Sequence, residues 1–171
     1  MIEVRKTKLE GVLKVEPSVF RDFRGEYVET YNRDLYVSNG IELKFIQDDI
    51  SVSRRNVLRG IHGDSVTWKL ISCFYGKFYF VVVNCDMQSK KFGRWQSFVL
   101  SDKNRVQILV PPKYGNAHLV LSKEAIFHYK QSTYYDPKRQ FTYKWDDPRF
   151  NIDWPIKHPI VSARDKEGKF V

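Results

Sequence analysis

The sequence predicts an all-β fold, a sandwich or barrel with short peripheral helices, on three observations. Short runs rich in Val, Ile, Phe and Tyr alternate with clusters of Gly, Pro, Asn and Asp along the chain, as strands punctuated by turns do. The segment Phe78-Tyr79-Phe80-Val81-Val82-Val83 is apolar at every position, as a strand buried on both faces requires. Helical periodicity is scarce.

Taken in order, the strand candidates begin with 13–15 and 26–31, the latter holding Tyr27, Val28 and Tyr31. A short helix is expected near 32–38. Strands follow at 44–53 and 70–75, and Gly76 separates the second of these from 77–85. Then come 95–100, 106–110, 118–121 and 125–132, each bounded by turn residues. Residues 146–159 hold Pro148, Pro155 and Pro159 and should wrap the barrel as irregular chain. A last helix is expected after Ser162. There is no internal repeat, low-complexity tract or linker, so residues 1–171 read as a single domain.

Of the 171 residues, 29 are Lys or Arg and 20 are Asp or Glu, giving a net charge of +9; apolar residues make up 42% and aromatics 15%. That aromatic content excludes a disordered chain. No apolar run approaches the ~20 residues of a membrane helix. The first residues, Met1-Ile2-Glu3-Val4-Arg5-Lys6, carry no apolar signal region, so a cytoplasmic protein is expected. Excess positive charge points to an anionic partner. Nucleic acid would call for a clustered basic stripe with interleaved aromatics, whereas the charges here are scattered, and the doublets Arg54-Arg55 and Lys90-Lys91 read as solvated hairpin charges. Cys73 and Cys85 lie in apolar stretches without CxxC spacing, which reads as two buried reduced thiols.

The histidines divide. His62, between Arg59-Gly60-Ile61 and Gly63-Asp64, lies in a turn-prone, charged segment and reads as a site on the barrel wall. His118 follows a loop into a strand, and Asn116 should share its face if the strand extends that far. His128 alternates against Phe127 and Tyr129 and reads as structural or surface, while His158 reads as loop. Without a His-x-His pair, a metal is not expected. There is no Gly-x-Ser-x-Gly, no P-loop and no dinucleotide fingerprint. A phosphate would therefore be held by side chains, with Arg24, Arg59 and Lys69 the candidates.

Several blocks occur together in order: Phe20-x-Asp22-x-Arg24-Gly25-x-x-x-Glu29, Gln47-Asp48, Asn56-Val57-Leu58-Arg59-Gly60-Ile61-His62 and Lys69-Leu70. They continue with Phe92-Gly93-x-Trp95, Tyr129-Lys130, Trp154-Pro155 and Ser162-Ala163-Arg164-Asp165. The set resembles the dTDP-4-dehydrorhamnose 3,5-epimerase family over nearly the whole chain. The resemblance implies a cupin-type jelly roll, a double-stranded β-helix, usually in a homodimer that exchanges N-terminal strands. It also implies a nucleotide-diphosphate sugar with a C4 ketone as substrate, and no cofactor, because protons α to a ketone leave to an ordinary base. Within it His62 matches the base, Asp165 the aspartate that orients that base, Lys69 the cation on the enolate oxygen and Tyr129 the proton donor. Arg24 and Arg59 match pyrophosphate ligands, and Phe20, Glu29 and Gln47 match other substrate positions. Taken alone, Tyr129 also reads as a core aromatic and Asp165 as a helix N-cap.

The departures are specific. Where the family has Gly-Phe-Ala-His-Gly-Phe, this chain has Lys113-Tyr114-Gly115-Asn116-Ala117-His118, so a family histidine is Asn116 and an aromatic is His118. Phe80 stands where a pocket acid is expected, and the loop after His62 is three residues shorter. Asn116 and His118 are therefore candidate substrate contacts. The two loops look most like a branch acting on GDP-linked 4-keto-heptoses of bacterial capsule, the expectation taken forward. The alternatives are a dTDP-4-keto-6-deoxyhexose 3,5-epimerase, a C3-only epimerase and a non-catalytic sugar-binding jelly roll.

Overall fold

The computed structural model describes residues 1–170. Strands β1 (Ile2–Lys6), β2 (Leu13–Pro17), β10 (Gln107–Val110), β7 (Lys69–Tyr75), β12 (Glu124–Gln131) and β5 (Gln47–Arg54) form one sheet in that order. A second sheet runs β13 (Phe141–Thr142), β6 (Leu58–Gly63), β11 (Tyr114–Val120), β8 (Lys77–Asn84) and β9 (Trp95–Ser101). The strand pairs of both sheets are antiparallel, and the sheets stack as a jelly-roll sandwich. Among the described residues, a hairpin of β3 (Val19–Asp22) and β4 (Gly25–Val28) pairs only with itself. No helix among the described residues is long and apolar enough to cross a membrane.

The apolar run in β8 is explained by what covers each side. Phe78, Phe80 and Val82 point between the sheets and pack with Ile71, Ile108, Val120 and Phe127. Val81 and Val83 point outward, where Ile61, Ala117 and Phe150 meet Tyr79, Trp95, Ile152 and Trp154. That outer layer is supplied by the proline-bearing chain from Asp146 onward, and Trp154 Nε1 donates to the Trp145 carbonyl at 2.8 Å. On the other sheet Val15, Leu70 and Leu109 pack under α1 (Arg33–Val37) through Tyr36. Asn32 caps that helix, accepting from Leu35 N at 3.2 Å, as an N-cap asparagine does.

Several expected bounds move. The strand expected at 26–31 ends at Val28, the one at 44–53 begins at Gln47, and the one at 118–121 begins at Tyr114. Strands β1, β3, β6 and β13 were not expected. β6 is the consequential miss: its Arg59, Gly60, His62 and Gly63 read as a turn, yet pairing to β11 and β13 holds them extended, a case of tertiary context overriding local propensity. Opposite β11, β6 carries one extra residue, with Asn116 facing His62 and His118 facing Arg59. In a regular strand residues three apart point to opposite faces. The bulge turns Arg59 and His62 to the same one.

Candidate active site

The mouth of the sandwich holds a cavity of about 290 Å³. The five-stranded sheet contributes Arg59 and His62 from β6 and Asn116 and His118 from β11. The six-stranded sheet contributes Lys69 and Ile71 from β7 and Phe127, Tyr129 and Gln131 from β12. Tyr135 and Gln140 line the rim, and Ser162, Arg164 and Asp165 close one side from the start of α2 (Ala163–Lys166).

His62 Nε2 lies 2.6 Å from Asp165 Oδ1. Asp165 is only 2% exposed, and Ser162 holds it from both directions. The Asp165 backbone N–H donates to Ser162 Oγ at 3.2 Å, and that hydroxyl donates to Asp165 Oδ2 at 2.7 Å. The sequence alternative of Asp165 as an N-cap is thereby corrected: Ser162 is the cap, and Asp165 sits three residues on, where a capping-box acid belongs. Burial pushes the Asp165 carboxyl up, but hydrogen bonds from His62 and Ser162 outweigh it and leave it below its ordinary value. A carboxylate accepting from Nε2–H leaves Nδ1 as the ring's basic nitrogen.

Lys69 is buried and its ammonium forms no ion pair among the described residues. Burial pushes its pKa down, Asp64 pulls it up and Arg164 pushes it down again. Asp64 is already engaged, accepting from Val66 and Thr67 backbone N–H groups at 2.9 and 2.7 Å and from Gln140 Nε2 at 2.8 Å. The lysine thus lines the cavity with no carboxylate of its own in an ion pair among the described residues. Tyr129 stands on the wall opposite His62, and burial, with Asp49 and Tyr135 nearby, pushes its phenol up to about 12. It stays a proton donor at neutral pH.

His118 and Asn116 both reach the cavity, because the strand extends through both. The His118 ring is stacked on Phe127 with centroids 4.1 Å apart, and burial, with Arg59 and His62 nearby, pushes its pKa down to about 3. His128 points away, stacked on Phe74 at 4.0 Å with Asp48 3.5 Å from its Nε2. Both cysteines are buried free thiols.

Other expected contacts do not assemble within one chain. Phe20 and Arg24 line a separate hollow on the β3–β4 hairpin, and the Arg24 guanidinium is engaged by Asp22 at 2.6 Å. Glu29 follows β4, outside the cavity lining. The reason is topological: among the described residues the hairpin pairs with no other strand, and Arg105 Nε donates at 2.9 Å to Glu26, which lies next to the hairpin's turn. Gln47 supports the rim instead of lining it, accepting from Tyr135 N at 2.8 Å. Arg59 lines the cavity with its Nε donating to Ser53 Oγ at 2.9 Å. Gln131, Gln140 and Arg164 were not singled out from sequence. Gln131 was legible as two residues beyond Tyr129 on one strand face; Gln140 and Arg164 carried no such signal. Among the described residues, no three His, Cys, Asp or Glu side chains gather as a metal cluster.

The family model for dTDP-4-dehydrorhamnose 3,5-epimerase matches residues 6–171. The dTDP-4-dehydrorhamnose 3,5-epimerase of Escherichia coli K12 is 38% identical over 173 residues, covering 99% of this chain and 94% of its own. The fold is similar to the crystal structure of dTDP-4-dehydrorhamnose 3,5-epimerase from Bacillus anthracis with TDP and PPi bound. That likeness has a TM-score of 0.96 and 30% identity, and it covers 100% of both chains. It is also similar to dTDP-6-deoxy-D-glucose-3,5-epimerase from Legionella pneumophila in complex with dTDP-4-keto-L-rhamnose. There the TM-score is 0.94 at 32% identity, over 99% of this chain and 93% of that one.

Proposed function

The chain belongs to the dTDP-4-dehydrorhamnose 3,5-epimerase family of isomerases, and from that premise we propose that it inverts C3 and C5 of a dTDP-linked 4-keto-6-deoxyhexose. The observation that carries this is the opposition of the His62–Asp165 dyad and Tyr129 across a cavity that also holds the unpaired Lys69. His62 Nδ1 takes the proton from C3, which is α to the ketone, and Asp165 supports the imidazolium so formed. The electron pair moves to O4 as an enolate, beside the Lys69 ammonium. Tyr129 then protonates C3 from the opposite face, and exchange with solvent returns both residues to their starting states. The same sequence at C5 inverts the second centre. No step requires a nicotinamide or a metal.

The relatives are named for dTDP-linked sugars, which favours the hexose over the GDP-linked heptose expected from the two loops. The heptose reading keeps one specific support: Asn116, His118 and Phe80 depart from the family pattern, and all three lie in or beside the cavity. It alone carries the link to capsule, with the reaction placed in the cytoplasm. We further read the active unit as a homodimer of single-domain protomers. The self-paired hairpin would carry Phe20, Arg24 and Glu29 to the partner's cavity, where the arginine would join Arg59 on the pyrophosphate.

The test is proton exchange in deuterium oxide, followed by NMR on dTDP-4-keto-6-deoxyglucose and on a GDP-4-keto-6-deoxyheptose. Label at C3 and C5 of the dTDP sugar is expected, and His62→Asn should abolish it. Label at C3 alone makes the protein a C3-epimerase. Turnover of the GDP sugar alone puts the heptose reading in its place, and exchange unaffected by His62→Asn sinks the role of the base.

A further inference from the structure

Two polar atoms in the cavity wall have no partner. Asn116 Oδ1 and His118 Nε2 are both shielded from solvent and make no hydrogen bond among the described residues. Buried polar atoms of this kind are rare in folded proteins, and each costs stability unless something satisfies it. Both sit on β11, on the face that lines the cavity. Asn116 pairs with His62 across the ladder, so it lies beside the base.

The surroundings restrict what can satisfy them. His118 is 4% exposed, stacked on Phe127 and 5.4 Å from the Phe78 ring, so it cannot swing out to water. Its neighbour across the β8 ladder is Phe80, where no acid can support a charged ring. An imidazole in that setting is neutral and offers one nitrogen as donor or acceptor. The Asn116 amide oxygen accepts only. One neutral ring nitrogen beside one amide oxygen holds neither a phosphate nor a cation well. A hydroxyl suits it, donating to Oδ1 while bonding Nε2.

We propose that Asn116 and His118 form a neutral notch that binds a ring hydroxyl of the sugar next to the carbon from which His62 takes the proton, and so select among sugars. The inference rests on the nucleotide-sugar reading above and deepens it. The notch is a positioning device. It holds the ring at the proton-transfer distance and touches neither the phosphates nor the migrating proton.

The test compares two affinities for each protein, by calorimetry: dTDP against dTDP-glucose, and GDP against GDP-mannose. The wild type should bind one sugar nucleotide more tightly than its bare nucleotide. In Asn116→Leu and His118→Phe that sugar-dependent gain should fall about tenfold, as expected when one hydrogen bond to a buried group is lost. Affinity for the bare nucleotide should not change. Because each substitution replaces an unsatisfied polar atom with carbon in a side chain of the same shape, branched for branched and ring for ring, the thermal midpoints should hold or rise. A lowered midpoint, or equal weakening of nucleotide and sugar nucleotide, would make the residues structural and overturn the notch. So would variants that keep the sugar-dependent gain, or a wild type that shows none. Failure to bind either nucleotide is a different result, because it removes the nucleotide-sugar reading itself.

Discussion

A histidine sealed between phenylalanine rings makes stability depend on pH in a direction set by its shift. His118 is held down to about 3 against an ordinary 6.5, so between those values the unfolded chain binds the proton and the folded one does not. Folding stability then falls as pH drops below about 6.5, by up to ~1.4 kcal/mol per pH unit from this group. His118→Phe removes the dependence. Denaturant midpoints of the variant and the wild type should therefore separate progressively from pH 7 to pH 5, the variant becoming the more stable. Asp165→Asn should lower kcat by about two to four orders of magnitude while KM moves little, since the amide no longer supports the imidazolium. Steady-state kinetics check this. Residues such as His62 and Asp165 were legible in the sequence as members of ordered blocks. Their approach across 103 positions was not, because only the folded C-terminal turn brings them together.

Among the elements, β6 and α2 do the placing. Gly60 has φ of +121°, and a Cβ there would lie 2.5 Å from Ala117 Cβ and 2.6 Å from the Asn116 carbonyl oxygen. Gly60→Ala should cost on the order of 3 kcal/mol, combining a disfavoured backbone angle with overpacking against β11. Thermal unfolding measures it, and a loss below 1 kcal/mol would mean the strand can shift. Ser162→Ala removes the cap of α2 and a donor to Asp165, at about 1 kcal/mol of stability; activity should fall more than that stability loss explains. The β8 strand was readable because burial on both faces leaves an unbroken apolar run. β6 was hidden, because glycines and charges needed for a bulged, cavity-lining strand look locally like a turn.

At the scale of the molecule, the hairpin is what tests the proposed dimer. Arg24 and His62 lie in different hollows of one protomer, so in a dimer that exchanges hairpins each cavity draws them from different chains. Arg24→Ala and His62→Asn proteins, each inactive alone, should regain about a quarter of wild-type activity when unfolded and refolded together in equal amounts, since half the dimers would carry one intact site of two. No recovery would place both residues in sites served by one chain. The sandwich was legible from strand composition and turn spacing. The hairpin was not, since its first strand, Val19–Asp22, carries no clear strand signal and among the described residues it pairs with β4 alone.

The extra residue in β6 also has a consequence for how this segment can change over generations. Arg59 and His62 share a wall through an odd count of positions, so deleting a single codon between them would restore regular alternation while leaving both residues in the gene. Their spacing would then be even, the ladder unkinked, and the Gly60 amide that reaches Asp165 at 3.4 Å shifted or lost. Substitution can tune this stretch gradually, whereas length cannot vary by one without rebuilding the base's seat.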